Sequence, residues 1–88
     1  MPQVSKPAKV RLLIVDDHPI VRSGLRQIED TEPSIEVVGE ASTGAQALEQ
    51  TRRLHPDVVL LDYRLPDVSG HEICRRLKAE RPAVRVLF

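Results

Sequence analysis

Aromatic side chains are nearly absent: the 88 residues hold one tyrosine, one phenylalanine and no tryptophan. Any core must therefore be aliphatic. A single cysteine, Cys74, excludes an internal disulfide, in keeping with a reducing, cytoplasmic setting. An excess of either charge is also missing, with 13 basic against 13 acidic residues. Nothing therefore argues for nucleic acid or an acidic membrane as a direct partner of this chain. No apolar run approaches the length of a membrane span, and the N-terminus lacks the apolar core of a signal peptide. What is present, 41% hydrophobic and 30% charged residues, is ordinary for a soluble globular domain. The length permits one small domain, of marginal stability because little of its surface is buried.

The chain is organised around Val58-Val59-Leu60-Leu61-Asp62-Tyr63-Arg64-Leu65-Pro66. Four apolar residues without polar alternation suit a strand covered on both faces of a parallel sheet. The run ends in a carboxylate, and Pro66 keeps Leu65 out of the helical region. Open α/β folds place their ligands at the carboxyl ends of strands, which is where Asp62 should stand. An aspartate after a strand more commonly forms a turn or caps a helix. A second run, Val10 to Val15, leads into Asp16-Asp17 and changes that balance. If the two strands are neighbours, three carboxylates converge. Two unit charges ~4 Å apart repel by about 4 kcal/mol near a protein surface. A hard divalent cation with oxygen ligands, such as Mg²⁺, offsets that repulsion. The alternative is a pair of exposed acids capping the next helix, with no metal.

Residues 1–8 carry no periodicity and read as a flexible lead-in to a domain over 9–88. After the acid pair, His18-Pro19 marks a helix start, proline suiting a first helical turn. Ile20, Val21, Leu25 and Ile28 share one face of this helix; Arg22, Arg26 and Glu29 share the other. His18 offers a ligand or a base, although a lone loop histidine is more commonly neither. Residues 35–40 read as an edge strand. Thr43 to Gln46 fits a capping box opening a second helix that ends near Leu54, with Ala47, Leu48, Thr51 and Leu54 facing in. Arg52 and Arg53 read as a solvated face, and His55 as a C-terminal helix residue helped by the dipole. Ser69 to Glu72 gives another capping box, before a helix whose inner stripe is Ile73, Cys74 and Leu77. Cys74 reads as a small core residue and His71 as exposed. Residues 84–88 begin a fourth strand. This alternation predicts right-handed βαβ units and a flavodoxin-like, doubly wound parallel sheet in the order 2-1-3-4. The switch point falls between the two strands that end in Asp16-Asp17 and Asp62.

Asp16-Asp17 after the first strand, Asp62 after the third, and Asp62-Tyr63-Arg64-Leu65-Pro66-Asp67-Val68-Ser69-Gly70 together resemble a response-regulator receiver domain of two-component signalling. The wording Asp17-His18-Pro19 is most similar to receivers fused to a helix-turn-helix DNA-binding domain. The resemblance implies that Asp62 accepts a phosphoryl group from a histidine kinase. It implies that Asp17, Asp62 and the Arg64 backbone carbonyl ligate Mg²⁺, with Asp16 acting through a water. The Arg64 side chain would tune dephosphorylation. It implies a phosphoacceptor rather than an enzyme in the usual sense, and contact with DNA only through an output domain outside this chain. The family also has a hydroxyl residue after the fourth strand, a lysine after the fifth, and two last helices. Phe88 precedes all of these, so the expectation is a partial receiver whose uncovered strand edge favours self-association. Two other readings compete: a non-switching interaction fragment, and a Mg²⁺-dependent phosphohydrolase. The latter usually carries Asp-x-Asp after the first strand, whereas Asp16 and Asp17 are adjacent. A Rossmann nucleotide site is disfavoured, since no Gly-rich turn follows Val15.

Overall fold

In a computed structural model, residues 9–88 are described. The lead-in expected at 1–8 lies outside the described residues. The elements in order are β1 (Val10–Val15), α1 (Pro19–Arg26), α2 (Ile28–Thr31), β2 (Ile35–Ala41), α3 (Gly44–Leu54), β3 (Val58–Leu61), α4 (Gly70–Glu80) and β4 (Arg85–Leu87). All strand pairs are parallel, in the order β2-β1-β3-β4, as the alternation predicts. None of the helices among the described residues is long and apolar enough to cross a membrane.

The central strands are apolar throughout because both faces are covered. Leu13 and Val15 point to the face under α3 and α4, packing with Val59, Leu61, Ala47, Ile73 and Leu77. Leu12 and Ile14 point the other way, to Val37 and to half-buried Leu25, Ile35, Val58 and Leu60. Alternation along a strand thus becomes two aliphatic layers rather than a wet face and a dry one. β1 and β2 slip register between Leu12 and Leu13, which face Val37 and Gly39 and leave Val38 as an extra residue. Gly39 sits at that irregularity, where glycine in a strand commonly marks a bulge.

The first helix departs from expectation. Ile20 is 87% exposed and Val21 and Ile28 are exposed too, while Leu25 alone of the stripe packs toward the sheet. The opposite face is the tethered one. The half-buried Arg22 donates to the Asp16 carbonyl at 2.6 Å and to Glu40 at 3.1 Å, and Glu29 accepts from the Val37 N–H at 2.9 Å. These polar ties set the helix's rotation against the edge of the sheet. The helical run is also broken at Gln27, so α2 is a separate turn.

Both predicted caps form in half. Thr43 Oγ1 accepts from the Gln46 N–H and Ser69 Oγ from the Glu72 N–H. The reciprocal bonds do not form: Gln46 accepts from Ser42 instead, and Glu72 pairs with Arg75 and Arg76. His55 lies past the end of α3, in the left-handed region at φ 52°. Cys74 is half-buried against the core, Arg52 and Arg53 are exposed, and Ile73 and Leu77 are fully buried.

Asp67 provides a cap that spacing does not reveal. Its carboxylate reaches from the loop after β3 to the first turn of α3, accepting from Gly44 N–H at 2.8 Å and Ala45 N–H at 3.0 Å. The Gly44 bond, ahead of that from Ala45, holds the Asp67 pKa below its usual 3.8. A depressed folded-state pKa adds stability that is full above the unfolded value and is lost as pH falls through the folded one. At neutral pH, Asp67→Ala is expected to lower stability by about 1 kcal/mol, the ordinary value of such a cap. In urea titrations the gap from wild type should close in acid, below pH 3.8. A gap of constant size would show that the carboxylate's charge is irrelevant.

Candidate functional site

The site is assembled by two consecutive backbone bonds at the top of the sheet. Asp16 N–H donates to the Ala41 carbonyl at 2.9 Å, and Asp62 N–H donates to the Val15 carbonyl at 2.8 Å. They extend the β1–β2 and β1–β3 ladders by one step and bring Asp62 beside the acid pair. Asp16, Asp17, His18 and Asp62 each present a ligand atom, all within 4.8 Å of one another. The three predicted carboxylates therefore converge. Asp16 is the most enclosed, its side chain 13% exposed against 23% for Asp62 and 35% for Asp17. Arg64 is exposed, and its N–H lies 3.4 Å from Asp62 Oδ1.

His18, expected from its loop position to be more commonly neither ligand nor base, is brought against the acids. Its Nδ1 lies 2.6 Å from Asp16 Oδ1, 3.0 Å from Asp17 Oδ1 and 3.9 Å from Asp62 Oδ2. The His18 N–H also donates to Asp16 Oδ1 at 2.8 Å, clamping residues 16–18 in a tight local turn. The hydrogen bond to Asp16, then the charge of Asp17, holds the imidazole pKa above its ordinary 6.5. A usable signal was present: the histidine follows the acids directly, and Pro19 restricts its backbone to extended geometry.

An aromatic cluster borders the site. Tyr63 meets His71 edge-on at 4.8 Å between centroids, and both lie within 5.6 Å of Phe88. The Tyr63 hydroxyl and His71 Nε2 are 2.7 Å apart. A cavity of about 310 Å³ opens here, lined among others by Asp16, Leu25, Asp62, Tyr63 and Phe88. A larger one, about 730 Å³, lies at the opposite edge of the sheet near His55, Asp57 and Arg81, and contains none of the candidate residues.

The donor set fits a hard cation. Mg²⁺ takes one or two carboxylates and keeps several waters, and an open, partly exposed group of three acids at a strand edge offers that. Fold and site together define an α/β domain that gathers acids at the switch point of a parallel sheet. The family model for the response regulator receiver domain matches residues 12–88, and the chain belongs to that family, a family of signalling domains. Over 79 residues it is 44% identical to the DNA-binding transcriptional activator DevR/DosR of Mycobacterium tuberculosis, covering 90% of this chain and 36% of that protein. It is 37% identical to the nitrate/nitrite response regulator protein NarL of Escherichia coli K12, covering 96% of this chain and 39% of that one. The solved signal receiver domain of NarL from M. tuberculosis superposes with a TM-score of 0.84 at 41% identity, over 91% of this chain and 64% of that structure. The chain thus spans little more than a third of the length of these curated relatives.

Proposed function

We propose that Asp62 is the phosphoacceptor of a two-component response regulator, charged by a histidine kinase and coupled to transcription through a DNA-binding output domain. The observation that carries this is the convergence of Asp16, Asp17 and Asp62 within 4.8 Å, Asp62 being the acid that follows β3 directly. An Asp62 carboxylate oxygen attacks the phosphorus of a phosphohistidine. The P–N bond breaks, the imidazole leaves with the bonding pair and takes a proton, and an acyl phosphate remains on Asp62. Asp17, Asp62 and the Arg64 carbonyl would hold Mg²⁺ directly, and Asp16 through a water. When bound, Mg²⁺ supplies the positive charge that lets an anionic nucleophile approach an anionic phosphoryl group. The tether from Asp62 N–H to the Val15 carbonyl fixes the backbone of the nucleophile, and its side chain remains partly exposed at the lip. The exposed Arg64 side chain, two residues on, would shield the acyl phosphate from water and so slow dephosphorylation.

Incubation with Mg²⁺ and a small phosphoramidate donor is expected to add one phosphoryl group, labile to hydroxylamine, to a peptide containing Asp62. Asp62→Asn should abolish the label, and Asp17→Asn should lower the Mg²⁺ affinity. A label on another residue, or none while Mg²⁺ is bound, would refute the assignment.

A further inference from the structure

We propose that His18 is itself a ligand of this metal site, and that its imidazole lets the site hold an imidazole-binding divalent ion, with Ni²⁺ as the probe, more tightly than Mg²⁺. The inference rests on reading the acids as a metal site. It adds a nitrogen donor to what would otherwise be an all-oxygen set.

Geometry is the first support. Donors about 2.1 Å from a shared ion stand about 3.0 Å apart when adjacent and about 4.2 Å apart when opposite in octahedral coordination. His18 Nδ1 lies 3.0 Å from Asp17 Oδ1 and 3.9 Å from Asp62 Oδ2, inside that range, while its 2.6 Å contact with Asp16 Oδ1 is shorter and is a hydrogen bond. A small ion placed among the carboxylates would meet the ring nitrogen without a large movement of the chain. The ring is already turned toward the acids. His18 is the N-cap residue of α1, yet its side chain makes no capping bond and pairs with Asp16 instead, while its backbone is held by the Asp16 turn and by Pro19.

The charge pattern is the second support. Among the described residues, His18 is the one basic side chain paired with any of the three acids. Arg22, four residues past His18, spends its guanidinium on the Asp16 carbonyl and on Glu40. The imidazole therefore occupies the place a cation would take, and an entering ion has two courses. Mg²⁺ prefers oxygen and must displace the ring, breaking its bonds to Asp16 and Asp17. Ions such as Ni²⁺ accept imidazole readily, so the ring would stay and offer its Nδ1 lone pair to the ion, with a proton kept on Nε2.

The test titrates the chain separately with Mg²⁺ and Ni²⁺ by calorimetry, and follows the imidazole resonances of the three histidines by NMR. The wild type is expected to bind Ni²⁺ more tightly than Mg²⁺, with paramagnetic broadening of the His18 ring ahead of His55 and His71. In His18→Ala, Ni²⁺ affinity should fall by roughly tenfold or more, the scale seen for lost supporting groups around metals. Mg²⁺ affinity should hold or rise. Circular dichroism checks the fold of each variant. Equal Ni²⁺ affinity in wild type and His18→Ala, or a wild type that favours Mg²⁺, overturns the inference. If Asp17→Asn still abolishes Mg²⁺ binding in that case, the metal-site reading survives alone. If Asp17→Asn leaves both ions bound as before, both readings fail.

Discussion

Leu13→Ala is expected to remove a large part of the stability of the whole domain. Leu13 is fully buried at the centre of β1, paired across to Gly39 on one side and Val59 on the other. Truncating a buried leucine costs about 2–5 kcal/mol, depending on how far the surroundings collapse. A chain of this length holds roughly 4–13 kcal/mol in total, at about 0.05–0.15 per residue. The urea midpoint should therefore drop steeply, or the variant should be largely unfolded without denaturant. Ile20→Ala is the contrast. Its side chain is 87% exposed, and surface changes of that kind stay within about 0.5 kcal/mol. Comparable losses at both positions would mean that α1 buries its apolar stripe after all.

Gly70→Ala should damage the site and the fold together. A Cβ on Gly70 would stand 2.6 Å from the Asp62 carbonyl oxygen and 3.1 Å from both the Tyr63 carbonyl and the Phe88 ring. The closest obstacle is backbone, which cannot rotate aside as a side-chain tip can. The loop from Asp62 to Gly70 is also closed by the Gly70 N–H, which donates to the Tyr63 carbonyl at 3.0 Å. Relief of the overlap must therefore shift Asp62, the proposed phosphoacceptor. Overpacking of this kind costs about 1–3 kcal/mol. In a domain of this size each kcal/mol lowers Tm by about 4–8 °C. Phosphoryl labelling of Asp62 should fall even at temperatures where the variant remains folded. Gly24→Ala provides the control: nothing lies within 4 Å of where its methyl group would stand, and in a helix the change should stabilise by about 0.5–1 kcal/mol. Full labelling of a folded Gly70→Ala would show that the loop absorbs the methyl without moving Asp62.

Much of this architecture is legible because the strands announce themselves. Val10–Val15 and Val58–Leu61 are mostly or wholly apolar runs, and such runs end where their cover ends, at Asp16 and Asp62. The meeting of the three acids follows from strand order alone. What escapes is whatever depends on long-range polar contacts. The turning of α1 is set by Arg22 and Glu29 reaching β2, which helical periodicity does not encode. The Asp67 cap joins residues more than twenty apart, so no local spacing marks it. The capping-box partners went astray because Glu72 and Gln46 had nearer competitors in Arg75 and Ser42. His18 escapes for the opposite reason. Its partners are its own neighbours in the chain, and a histidine beside two acids reads as loop chemistry until Asp62 arrives from another strand.

The scarcity of aromatic residues turns the cluster beside the site into an intrinsic optical gauge. With no tryptophan in the chain, ultraviolet emission comes from Tyr63, which is adjacent in sequence to Asp62 and has its hydroxyl 2.7 Å from the His71 ring. A change in its quantum yield on adding a divalent ion would report on the lip of the sheet directly, with no dye to attach and no background to subtract.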